Sequence, residues 1–123
     1  MRSIGILWEN AASAHLQQAG IELLARNYNC RYGEIDLVML DQSGRERGCV
    51  VFVEVRYRGS AARGDGLASV GPAKRTKLIR TAAIYLQAHP RLAGLACRFD
   101  VVACGGTPAH PEFDWIRSAF DAY

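Results

Sequence analysis

Two stretches decide the architecture: GEIDLVML at residues 33–40 and VVFVEVRYR at residues 50–58. Each has the length and the Val, Ile, Leu and Phe content of a buried strand. Asp41-Gln42-Ser43-Gly44 is a turn signal, and the connection through Gly48 is polar, so Ile35–Leu40 and Cys49–Tyr57 read as a hairpin. Both runs carry charge where strands of this kind rarely do. Asp36 interrupts the first; Glu54 and Arg56 interrupt the second. Successive strand residues point to opposite faces, so Glu54 and Arg56 share one face while Val53, Val55 and Tyr57 share the other. Burying a carboxylate is costly unless it is paired or binds a cation. Asp36 and Glu54 therefore both require compensation.

Working outward, residues 6–19 read as a helix with Leu7, Ala11, Ala14 and Leu16 near one face and Gly20 as its stop. Ile21–Arg26 alternates as a strand, and Asn27–Gly33 reads as a turn or bend. Gly59–Gly71 holds four glycines and reads as a long loop. Pro72 fits a first helical turn. Lys74–Ala88 continues as a helix with Leu78, Ala82, Ala83 and Leu86 inward, ended by His89-Pro90. Cys97–Cys104 reads as a strand, Gly105–Pro111 as a loop and Trp115–Phe120 as a short closing helix. The order is α-β-β-β-α-β, an α/β class.

The chain of 123 residues has the size of a single domain, with 22% charged residues and half of its residues apolar, which argues against disorder or a fibrous repeat. No apolar run approaches the roughly 20 residues that cross a bilayer. Ile4–Trp8 follows Arg2 but is cut by Glu9, too soon for a secretory signal. The four cysteines, at 30, 49, 97 and 104, form no C-x-x-C pair, so neither a zinc knuckle nor a thioredoxin-type site is suggested, which suits a cytoplasmic protein with small buried thiols. Net charge is only +3, but residues 55–98 hold nine Lys/Arg against Asp65 alone. A focused basic block attracts polyanions by counterion release; the bland alternative is a solvated face.

Two readings compensate the strand acids. In the bland one, Glu54 pairs with Arg56 or Arg58. In the sharper one, Asp36 and Glu54 come together on adjacent strands as an all-oxygen site suited to Mg²⁺ or Mn²⁺. Such an ion polarises a phosphate and lowers the pKa of a bound water. The basic block then holds the rest of a polyanion.

Glu9 in the first helix, Asn27, GEID (33–36), FVEVRYR (52–58), Lys74 opening a helix and RFDVV (98–102) resemble the YraN-like family of bacterial proteins. The resemblance runs from about Gly5 to Phe120. It implies a restriction-endonuclease-like mixed β-sheet flanked by helices, related to archaeal Holliday-junction resolvases, over residues 1–123. It also implies the nuclease pattern D…(D/E)-x-K, with Asp36 as the first acid, Glu54 as the second and Arg56 at the Lys position. By the same resemblance Glu9 matches the helical Glu that resolvases add to their metal site, and the backbone carbonyl of Val55 is a further metal ligand. Arg56 is the departure. Arg stays protonated, so it can stabilise charge at the scissile phosphate but cannot act as a general base.

The function implied is a metal-dependent nuclease-like protein that hydrolyses phosphodiester bonds of DNA, branched DNA included, with Arg58, Lys74, Arg75 and Lys77 on the backbone. A homodimer would suit a four-way substrate, though no residue pattern encodes one. The rival is a catalytically inactive nucleic-acid-binding module that keeps the fold; a third reading is a protein-interaction domain with a closed Glu54–Arg56 pair. Asp100 reads as a structural partner of Arg98. Trp8 and Trp115 read as core, Tyr57 and Tyr85 as packing residues, and His15, His89 and His110 as surface or capping residues.

Overall fold

The charged strands lie side by side. In the computed structural model, which describes residues 2–44, 47–57 and 70–121, the elements are α1 (Arg2–Gln18), β1 (Glu22–Cys30), β2 (Gly33–Asp41), β3 (Cys49–Tyr57), α2 (Pro72–Ala88), α3 (Pro90–Ala93), β4 (Ala96–Gly106) and β5 (Pro111–Phe120). β2 and β3 pair antiparallel from Asp41↔Cys49 to Leu37↔Val53, the hairpin expected from their sequences. The sheet order is β1-β2-β3-β4-β5. β3 and β4 run parallel, and the other neighbours are antiparallel. A parallel pair cannot be closed by a tight turn, and the crossover from β3 to β4 carries α2.

Helices cover both faces. α2 packs over Ile35, Val38, Val50, Phe52, Phe99 and Val101 through Leu78, Ala82 and Tyr85. On the other face, Trp8, Ala12 and Leu16 of α1 cover Leu37, Met39, Val51, Val53 and Val102. Because β3 is buried on both sides, it reads as a continuous apolar run rather than an alternating one. Among the described residues, no helix is long and apolar enough to cross a membrane.

Several sequence expectations are corrected. The buried stripe of α1 is Trp8, Ala12, Leu16, an i, i+4 row, whereas Leu7 and Ala14 are exposed. In α2 the inward residues include Thr81 and Tyr85, and Ala83 faces solvent. β1 continues through Asn27 to Cys30, so the expected bend at Asn27–Gly33 shrinks to Arg31-Tyr32. Asn27 sits at φ 50°, a left-handed kink that Asn tolerates better than most residues, and the strand passes through it. The expected closing helix at Trp115–Phe120 is part of β5. It is held to β4 by side chain as well as ladder: Asp100 accepts hydrogen bonds from the Ser118 amide (2.9 Å) and from Trp115 Nε1 (2.9 Å). The pairing jumps from Val101↔Ile116 to Phe99↔Phe120, and Ser118 at φ 50° absorbs the bulge. Gly106 (φ 74°) opens the β4–β5 turn, where an added Cβ would stand 2.6 Å from the His110 carbonyl oxygen. Trp115 is partly buried against the α1 face, and Tyr57 is 59% exposed although its ring packs on Trp8. Of the cysteines, Cys104 is buried, Cys97 is exposed and Cys30 and Cys49 are intermediate, so only one is a fully buried hydrophobe. The expected loop lies mostly outside the described residues, as does Arg58.

Candidate metal centre and polyanion cleft

The β2–β3 ladder stops at Leu37↔Val53. The next residues, Asp36 and Glu54, are the two strand acids. Beyond that point the Val55 amide donates to Asp36 Oδ2 at 2.8 Å. A side chain thus replaces the backbone partner, and the strands part around a cleft of about 630 Å³. Gly33, Glu34, Asp36, Glu54 and Val55 line it from the sheet; Lys74, Lys77 and Leu78 line it from α2.

The two acids are compensated differently. Glu54 is 7% exposed, and Lys74 Nζ lies 2.5 Å from its Oε2. The partner of Glu54 is therefore Lys74 on the first turn of α2, which neither bland pairing with Arg56 nor one with Arg58 anticipated. No ion pair to a described residue neutralises Asp36. Burial first, and then the Glu54 carboxylate, push its pKa up to about 7, and the Val55 amide only partly offsets them. Glu9 and Glu34 add to the same effect.

Such a site suits a cation. The oxygens are hard, one acid is short of positive charge, and the space between β2, β3 and α2 is open. Among the described residues, no three His, Cys, Asp or Glu side chains form a ready metal cage. A Mg²⁺ or Mn²⁺ site needs none: it takes one or two carboxylates and completes its shell with water and substrate phosphate oxygens.

Glu9 stands next to the cleft rather than in it. Its Oε1 accepts from Asn27 Nδ2 at 3.0 Å and lies 3.9 Å from Arg26 Nη2. With Gly5, Ile6, Asn27 and Glu34 it lines a neighbouring hollow of about 180 Å³. Asn27 Nδ2 also reaches Glu34 Oε2 at 3.2 Å. Asn27 therefore ties the first helix to the β1–β2 hairpin. Glu34 lines both hollows and joins them. Glu34 stands within the GEID motif but carries no role in the sequence analysis; its signal is its position beside Gly33, two residues before Asp36.

The cations divide as well. Lys74 and Lys77 face the cleft. Arg75 turns away: its Nε donates to the Val70 carbonyl at 2.6 Å and its guanidinium lies 5.5 Å from the centre of the Phe120 ring. Arg75 is thus a structural clasp at the start of α2 and not a cleft residue. Arg56 is half-buried on β3.

A second hollow of about 340 Å³ lies at the opposite end of β3, lined by Asp41, Cys49, Arg98 and Arg117 among others. Its acid is already paired, and Arg117 stacks on the Trp115 ring at 4.0 Å. Arg98 Nη1 meets Asp41 Oδ2 at 2.8 Å and Arg98 Nε meets Asp100 Oδ1 at 3.0 Å, as the sequence suggested for the latter pair. The Ser43 hydroxyl holds the Asp41 carboxyl down at about 2, with smaller help from the Ser43 amide and Arg98 outweighing burial. This network knots β2, β4 and β5 together and leaves no acid short of charge.

The chain belongs to the family described as Uncharacterised protein family UPF0102, whose model matches residues 8–104, from Trp8 to Cys104. It is similar to a UPF0102 protein of Xanthomonas campestris pv. campestris (strain B100), 53% identical over 116 residues, covering 94% of this chain and 89% of the relative. A UPF0102 protein of Stutzerimonas stutzeri (strain A1501) is 48% identical over 121 residues, covering 98% and 97%. The matched span contains Glu9, Asp36, Glu54, Val55, Lys74 and Lys77.

Proposed function

We propose that this protein is a metal-dependent nuclease-like protein that hydrolyses phosphodiester bonds of DNA, built on a restriction-endonuclease-like version of the α/β sheet. The observation that carries the reading is the Asp36–Glu54 acid pair, set where two strands part, with lysines facing it from α2. The element order is also the α-β-β-β-α-β expected from the sequence, with α3 and β5 added.

Asp36 and Glu54 would hold one or two divalent ions, with the Val55 carbonyl as a further ligand and Glu9 adding negative potential from the next hollow. A bound Mg²⁺ or Mn²⁺ supplies Lewis-acid polarisation of a phosphoryl oxygen and a more acidic water. The chain does the rest. Lys77, exposed at the rim, binds a flanking phosphate. Arg56 contributes fixed positive charge on the Glu54 side of β3. Lys74 holds the Glu54 side chain in place through their ion pair.

The test is a cleavage assay on linear and branched DNA with Mn²⁺. Cleavage that Asp36→Asn abolishes supports the reading; cleavage of equal rate in that variant removes the assigned site. A second reading, a binding module without catalysis, is favoured by the Lys74–Glu54 pair, which already occupies one acid. It expects salt-sensitive binding and no product with any metal.

A further inference from the structure

α2 carries Lys74, Arg75, Lys77 and Arg80 and no acid over Pro72–Ala88. A helix stabilised through its surface charges interleaves acids at i, i+4; this one does not. With Arg75 turned aside, Lys74, Lys77 and Arg80 recur every third residue, each step advancing about 4.5 Å along the axis. The row starts in the cleft and leads away from it.

Its far end meets the β1–β2 turn. The Arg80 guanidinium lies 5.6 Å from the centre of the Tyr32 ring, and that of Arg31 lies 4.9 Å from the same centre. Arg31 Nη2 also donates to the Tyr32 hydroxyl at 2.9 Å. One ring thus gathers guanidiniums from two elements, both exposed to solvent. No ion pair to a described residue neutralises Arg31, Lys77 or Arg80. Like charges converge here without an acid between them, held by an aromatic face, and an anion bridging them would relieve the repulsion.

We infer that Lys77, Arg80, Arg31 and Tyr32 form a second contact surface, which holds the phosphodiester backbone of a nucleic-acid strand as it leaves the acid cleft. The ligand chemistry is a chain of phosphates. The strip reaches about 9 Å along α2 from Lys74, the axial length of two to three nucleotides of one strand. Tyr32 acts by placing the guanidiniums. The inference rests on the reading of the cleft as a phosphodiester site and extends it from Lys77 to Arg80, Arg31 and Tyr32, outside the cleft.

The experiment is fluorescence anisotropy of a labelled DNA duplex with excess chelator, so that nothing is cut, over a range of salt. It compares wild type, the double variant Arg31→Ala/Arg80→Ala, and the charge-matched control Arg91→Ala/Arg117→Ala, each checked for folding by circular dichroism. The strip variant should lose about ten-fold or more in affinity, and the slope of log K against log salt should fall by about two. The control should change little. Wild-type binding with the strip variant matching the control overturns the strip and leaves the cleft reading standing. Absence of wild-type binding at low salt overturns the strip, while the cleft reading is judged separately by the cleavage assay with Mn²⁺.

Discussion

Asp36 Oδ2 accepts the Val55 amide at 2.8 Å, at the point where the β2–β3 ladder has ended. The bond holds a carboxylate that has no cation of its own against Glu54, and its pKa is raised to about 7, first by burial and then by the Glu54 charge. In the unfolded chain the same group titrates near the ordinary Asp value of roughly 3.9.

The sign of the pH dependence follows. Between about pH 4 and 7 the folded state holds a proton on Asp36 that the unfolded state has lost, so stability falls as pH rises through this window. Asp41, held down at about 2, acts the other way, and its contribution is lost only below about pH 4. With chelator present, Asp36→Asn should therefore be more stable than wild type at pH 8, by about 1–3 kcal/mol, and close to it at pH 4. Urea denaturation across pH reads this directly. A variant less stable than wild type at pH 8 contradicts the assigned environment.

Lys74 compensates a nearly buried Glu54, but its own side chain is 49% exposed. Water screens part of the attraction. Lys74→Met should cost about 1–3 kcal/mol at neutral pH, because Glu54 is left facing Asp36 unpaired. The loss should shrink as pH falls through about 7 and Asp36 takes up its proton, which removes the repulsion between the two acids. A pH-independent loss would point to packing instead.

Arg98 is the hub of the buried network at the other end of β3, and its Nη2 is buried without a hydrogen-bond partner among the described residues. Arg98→Met removes the guanidinium paired with both Asp41 and Asp100, leaving them only their hydrogen bonds from Ser43, Trp115 and Ser118, and should cost about 3–5 kcal/mol in chemical denaturation. Under native conditions it should leave Mn²⁺ binding unchanged.

Arg75 separates fold from function within the basic helix. Arg75→Ala removes the bond to the Val70 carbonyl and the contact with Phe120. It should lower stability by about 1–2 kcal/mol while changing DNA affinity far less than Arg31→Ala/Arg80→Ala. Equal losses in affinity would return Arg75 to the binding surface.

The β2–β3 hairpin, α2 from Pro72 and the β4 strand were legible because their patterns are local: apolar runs, turn residues, a Pro at the first helical turn. Asp36 and Glu54 stood out because charge in a buried strand demands compensation. What compensates Glu54 was not legible. Lys74 is distant in the chain, and the bond depends on how α2 crosses the sheet. The β5 error has a similar source. In WIRSAF the apolar residues 115, 116, 119 and 120 fit a helical face as well as a strand, and Asp100, far back in β4, decides between them through Ser118 and Trp115. The phase of α1 was missed because Leu7 is as apolar as Trp8, and only the sheet beneath selects which of them is buried.

The most direct test is calorimetric titration of the protein with Mn²⁺ at pH 7, with and without a cleavage-resistant phosphorothioate oligonucleotide. Saturable binding is expected, with proton release that makes the heat depend on the buffer, because Asp36 is partly protonated at that pH. Asp36→Asn and Glu54→Gln should each abolish or strongly weaken it. Undetectable Mn²⁺ binding by wild type with the oligonucleotide present, or equal binding by both variants, would contradict the claim that these two acids form a divalent-cation site.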